Sequence, residues 1–180
     1  MLPTAEVRWF FKGAVPPSLR TWYWGLVGDV RAEVPRVDQY LFVRHTDTLG
    51  IKFREGRIEV KQRLGSPRVS AFAPDKLGNF EHWRKWGFPL AAAQEDEATL
   101  QAQEAWLGVK KVRWVRDYRI GSQGELCGVE TPNLSIPTCS VELADVRVGD
   151  HRAWTLAFEA AGPPTSLEHT LKQVANRVLS

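Results

Sequence analysis

The sequence predicts an α+β protein: an antiparallel sheet of about eight strands, closed into a barrel or tunnel, with helices inserted midway and a C-terminal helix. Three observations lead there. Two-residue alternation recurs along the chain, most clearly in 49–63, 106–113 and 140–159. Turn chemistry separates these segments, at Glu55-Gly56 and Gly149-Asp150. The polar faces carry Lys and Arg where an ordinary half-exposed sheet would mix signs and be rich in Ser and Thr. If such a sheet closes, its charged faces line the interior. Unpaired buried charge is expensive, so a cationic interior needs counter-ions, water or an anionic ligand.

The stretch 49–63, LGIKFREGRIEVKQR, carries the pattern best. Lys52 and Arg54 alternate with Ile51 and Phe53; Arg57, Glu59, Lys61 and Arg63 alternate with Ile58, Val60 and Gln62. One ribbon therefore has an apolar face and a strongly cationic face. An antiparallel sheet with its charges in water explains this segment alone equally well; the repetition elsewhere favours cations that converge on an anion.

Taken in order, 5–12 alternates Glu6, Arg8 and Phe10 against Val7, Trp9 and Phe11, and Pro16-Pro17 ends it. Residues 18–30 read as a short helix or an ordered loop, and 38–45 as a strand leading into the hairpin. Pro67 breaks the second hairpin strand, which 68–72 resumes. Leu77, Phe80, Trp83 and Trp86 recur at helical spacing, so 75–87 is expected to be an amphipathic surface helix, which also accounts for the WRKW run without nucleic acid. A second helix is expected over 94–103, with Glu95, Asp96 and Glu97 in its first turn. Residues 106–120 return to strand composition, with Lys111 and Arg113 on one face and Val112 and Trp114 on the other. An edge strand is expected near 126–130, and a strand pair over 138–148 and 151–160. Thr165-Ser166-Leu167-Glu168 fits a capping box, followed by the stripe Leu167, Leu171, Val174 and Val178.

The totals bound the answer. The 180 residues suit one domain, 1–180, and 43% hydrophobic with 25% charged residues is ordinary for a soluble globular chain. A net charge of +3 permits an anionic partner without demanding one. No apolar run reaches ~18 residues, so no membrane association is expected, and Glu6, Arg8 and Lys12 interrupt the start where a signal peptide needs an apolar stretch. The expected location is cytoplasmic. Cys127 and Cys139 have no second Cys or His pair at metal spacing and are expected to be free thiols.

The order of these features resembles the CYTH, or triphosphate-tunnel, proteins: adenylyl cyclases, thiamine triphosphatases and inorganic triphosphatases. Glu6-Val7-Arg8-Trp9-Phe10 sits where that family has ExExK, and Asp38-Gln39-Tyr40-Leu41 resembles its second strand. Ile51-Lys52-Phe53-Arg54, Glu59-Val60-Lys61 and Lys111-Val112-Arg113 resemble its basic strands, while Glu142 and Glu159 fall in its two late acidic strands. The departures are Arg8 for the second Glu of ExExK, Phe10 for its Lys, and Ala144 and Ala157 where a second late carboxylate is common.

The resemblance implies a small polyanionic phosphate ligand held by Arg8, Lys52, Arg54, Lys61, Arg63, Lys111 and Arg113. It also implies Mg²⁺ or Mn²⁺ on Glu6, Glu142 and Glu159, with Glu159 and Glu6 as the catalytic carboxylates of a metal-dependent triphosphatase. Mg²⁺ takes few protein carboxylates and keeps several waters, so three can suffice. Two other readings stay open: a tunnel that binds polyphosphate or a nucleotide without catalysis, and, less expected, an RNA-binding protein using WRKW and the basic strands. The oligomeric state is not readable from the sequence.

Overall fold

A computed structural model describes residues 2–89, 105–132 and 135–180. Its strands are β1 (Leu2–Lys12), β2 (Arg31–Ala32), β3 (Arg36–Leu41), β4 (Leu49–Arg54), β5 (Arg57–Ala73), β6 (Lys76–Pro89), β7 (Trp106–Ile120), β8 (Leu126–Gly128), β9 (Thr138–Val148) and β10 (His151–Ala161). Helix α1 spans Pro17–Gly25, and helix α2 spans Leu167–Leu179 after a 3₁₀ turn at Pro164–Ser166. Eight strands run in the order β7-β3-β4-β5-β6-β1-β10-β9, and β9 pairs back onto β7 to close an antiparallel barrel. β2 and β8 add to β7 outside that circuit.

The β4–β5 hairpin closes at Glu55-Gly56, where both residues have positive φ, 50° and 70°. That is the pairing a tight hairpin turn with right-handed strand twist requires. β5 runs through Pro67 with a register shift between Leu64 and Arg68, and its distal half meets α2 through Arg68 and Glu168. Residues 38–45 form a strand only as far as Leu41.

The expected surface helix over 75–87 does not form. Those residues make most of β6, paired with β5 along its length and with β1 at Glu6↔Glu81. The i, i+3 spacing of Leu77, Phe80, Trp83 and Trp86 coexists with a two-residue alternation, and ladder pairing on both edges decides between them. Phe80 is buried on the outer side while Trp83 turns inward over the Lys61 ammonium, 4.6 Å from its ring centroid. Gly78 is forced: a Cβ there would sit 2.6 Å from Val7 Cγ2 and 2.8 Å from Trp9 Cζ2. The expected helix over 94–103 lies outside the described residues.

The capping box also fails. Ser166 has helical φ and ψ, and its hydroxyl donates to Pro163 O at 2.8 Å, because Pro163-Pro164 start a 3₁₀ turn ahead of the helix. The Glu168 carboxylate is taken by Arg68 and Lys172. The helical stripe stands as expected, with Leu167, Leu171, Val174 and Val178 all buried.

The main hydrophobic core lies outside the barrel. The outward faces of β1, β9 and β10 supply Ala5, Val7, Val141, Leu143, Leu156 and Phe158, against which α2 and the distal β5–β6 hairpin pack. Trp9 meets Phe72 and Phe158 edge-on at 5.8 and 6.2 Å. The same strands turn their charged residues inward.

Candidate functional site

The barrel encloses a cavity of about 800 Å³. Strand alternation decides its lining: β1 contributes Glu6, Arg8 and Phe10, β5 contributes Arg57, Glu59 and Lys61, and β7 contributes Val109, Lys111 and Arg113. Eight cationic side chains (Arg8, Arg36, Lys52, Arg57, Lys61, Lys85, Lys111 and Arg113) face five carboxylates (Glu6, Asp38, Glu59, Glu142 and Glu159), leaving three positive charges in excess.

Most of these charges are paired. Arg8 is central: Nε donates to Glu6 Oε1 at 2.9 Å, and Nη1 donates to Glu142 Oε1 at 2.6 Å and to Thr155 Oγ1 at 3.1 Å. The register explains the reach. Arg8 lies opposite Ala157, whose other neighbour is Glu142, so a small residue clears the path between strands. Lys61 donates to the second oxygen of Glu6. Arg113 holds Glu142 Oε2 through Nε at 2.6 Å and Glu33 through Nη1 at 2.8 Å. Lys85 holds Glu159, and Lys52 reaches Glu59 at 2.9 Å and Asp38 at 3.8 Å.

The electrostatics follow. Burial opposes ionisation of Glu6, but Arg8 and Lys61 outweigh it and bring its pKa down to about 2. Burial likewise opposes Glu142, and Arg8 and Arg113 bring it down to about 2. Burial also opposes the Arg8 charge, yet Glu6 and Glu142 raise its pKa further and keep it protonated. Lys111 behaves differently. Its ammonium donates to the Tyr40 hydroxyl at 2.6 Å and lies 4.6 Å from that ring centroid, with no carboxylate among the described residues within ion-pair distance. Desolvation lowers its pKa to about 8 despite attraction from Asp38 and Glu142. Arg57, the other cavity cation without an ion pair among the described residues, edges Gly87.

Of the residues expected in the site, Glu6, Arg8, Lys52, Lys61, Lys111, Arg113, Glu142 and Glu159 come together around the cavity. Arg54 and Arg63 do not line it. Arg54 is held by Glu59 at 2.6 Å, and Arg63 by Glu81 and Asp47, each at 2.9 Å. Arg36, Asp38, Tyr40, Arg57, Glu59 and Lys85 line the cavity and were missing from the expected set. Asp38, Tyr40, Arg57 and Glu59 share the inward parity of strands already recognised, whereas Lys85 was hidden by the helical reading of β6.

Compared with known proteins, the chain matches no family model and no curated sequence. The lining itself therefore carries the functional reading. Among the described residues, no three His, Cys, Asp or Glu side chains gather in a cluster suited to a metal ion. Glu6, Glu142 and Glu159 are each engaged by a cationic side chain, so the residues present do not fit the divalent ion that the resemblance implies. No described helix is long and apolar enough to cross a membrane.

Proposed function

We propose that this protein binds a small phosphate polyanion, a triphosphate or polyphosphate, inside its barrel. One observation carries the reading: a cavity of about 800 Å³ whose wall holds eight cations against five carboxylates. Eight-stranded barrels fill with side chains or hold one small ligand, and apolar filling would avoid the cost of desolvating these ions. A phosphate chain offers the wall several charge-assisted acceptors at once. Lys111 and Arg57, which make no ion pair among the described residues, are open to it.

The nucleic-acid reading loses its footing with β6. Trp83 and Lys85 of WRKW turn inward, where Lys85 is paired with Glu159, and Trp86 lines the cavity.

The test is a thermal shift at low salt with millimolar inorganic tripolyphosphate. The melting temperature should rise, because a ligand confined to the native state stabilises it by mass action. The rise should shrink in Arg57→Ala and Lys52→Ala and persist in Arg84→Ala, which alters the outer face of β6. No shift in the parent protein would sink the proposal. Phosphate release from a panel of triphosphates, with and without Mg²⁺ or Mn²⁺, then separates binding from hydrolysis.

A further inference from the structure

Glu6 and Glu142 stand where two strands could share one cation, and the chain supplies that cation itself. The Arg8 guanidinium bonds Glu6 at 2.9 Å and Glu142 at 2.6 Å. It thus occupies the position between the carboxylates that a divalent ion would need, and Glu142 gives its other oxygen to Arg113. We propose that Arg8 is a built-in substitute for a metal, so that the cavity takes the metal-free polyanion and not its Mg²⁺ complex. The inference rests on the phosphate-binding reading above and specifies the form of its ligand.

Donor counting supports it. A guanidinium has five N–H donors. Arg8 uses Nε once and Nη1 twice, on Glu6, Glu142 and Thr155. The two Nη2 donors make no hydrogen bond to any described residue, on a side chain that lines the cavity. A planar donor pair of this kind suits phosphate oxygens. Arg8 thereby neutralises the wall carboxylates and presents donors to the ligand, two tasks that a resident metal would otherwise perform. A wall already so compensated has little to offer a metal-bound triphosphate, whose own charge the ion has reduced.

Titration calorimetry of the full chain with inorganic tripolyphosphate, in EDTA and again with excess Mg²⁺, decides the matter. Binding in EDTA that weakens when Mg²⁺ sequesters the ligand is the expected result, and Mg²⁺ alone should leave the melting temperature unchanged. Binding that appears only with Mg²⁺, or a rise in melting temperature with Mg²⁺ alone, would overturn the inference and leave the phosphate-binding reading standing. Binding under neither condition would remove both.

Variants at position 8 sharpen the result. Arg8→Gln should weaken binding in EDTA about ten- to hundredfold, the value of one lost charge-assisted contact, while Arg8→Lys, which keeps the charge but loses the planar donor pair, should weaken it by less. Arg8→Glu places a third carboxylate beside Glu6 and Glu142 and should make the melting temperature rise with added Mg²⁺. If Arg8→Gln binds in EDTA as tightly as the parent, the guanidinium is not the substitute.

Discussion

Removing the Glu142 charge by Glu142→Gln tests whether the interior network is as tightly coupled as its geometry says. Glu142 is 8% exposed and joins Arg8 on β1 to Arg113 on β7, across the strand pair that closes the barrel. Its folded pKa of about 2 against a usual 4.5 is a difference of about 2.5. At about 1.4 kcal/mol per unit, the ionised carboxylate contributes about 3 kcal/mol at neutral pH. The sign is that of a depressed acid: the contribution is complete above pH 4.5 and is lost as pH falls toward 2. Glu142→Gln should therefore lower unfolding free energy by about 3 kcal/mol at pH 7, within the range for breaking a buried pair. Urea denaturation at pH 7, 5, 3 and 2 should show the gap between parent and variant holding to pH 5 and closing below it. Because Arg8 also serves Glu6, the double variant with Glu6→Gln should fall short of the sum of the two single losses. Equal stability of Glu142→Gln and parent at pH 7, or a gap unchanged between pH 5 and pH 2, would refute the coupling.

Other outcomes follow from the same wall. Lys111, with its pKa lowered to about 8, should lose its charge as pH rises through that value, so tripolyphosphate affinity should decline above pH 8 relative to Lys111→Met, measured by calorimetry across pH 6 to 10. On stability the sign reverses: the unfolded chain binds this proton more tightly, so Lys111 disfavours the fold below pH 8, and Lys111→Met should melt higher at pH 7 in ligand-free buffer. Glu159→Gln removes one negative charge from the lining and should tighten tripolyphosphate binding in EDTA, which a titration would show. Gly78→Ala forces a methyl against Val7 and Trp9 and should cost about 1–3 kcal/mol in denaturant unfolding.

How much of this was legible in the sequence depends on what set each feature. Where the polypeptide period alone decides, as at Lys52, Lys61, Lys111 and Arg113, parity within a strand gave the inward face correctly. Parity says nothing about position along the barrel, which is why Arg54 and Arg63 share that face yet are absorbed by Glu59, Glu81 and Asp47. β6 was unreadable because WRKW with its flanking aromatics satisfies helical spacing and strand alternation alike. Only its ladders to β5, its hairpin neighbour, and to β1, distant in sequence, break the tie. The capping residues failed for a local reason, since Pro163-Pro164 redirect the chain one turn before the helix begins. Ion-pair partners were beyond reach: that Arg8 would meet Glu142, 134 residues away, follows from the register of β1 on β10 and of β10 on β9.

The division of labour between the two faces of β1 bears on why the interior is charged at all. Val7 and Trp9 face the outer core beneath α2 and the distal hairpin, and Glu6 and Arg8 face the cavity from the intervening positions. Apolar burial, the dominant favourable term in folding, is thus obtained largely outside the barrel. The inner lining is not needed to supply it. Buried ion pairs of this kind contribute little net stability over apolar residues of similar size, because desolvation offsets their attraction. A cavity of about 800 Å³ kept open and lined with unequal charge is therefore not what selection for stability alone would leave. The same separation lets the wall vary without loss of the barrel: a change at position 8 rewrites the inner face, while the outer core, and with it the register of β1, is untouched. Eight cations against five carboxylates leave that inner face positive, and on the reading proposed above a phosphate polyanion meets the excess.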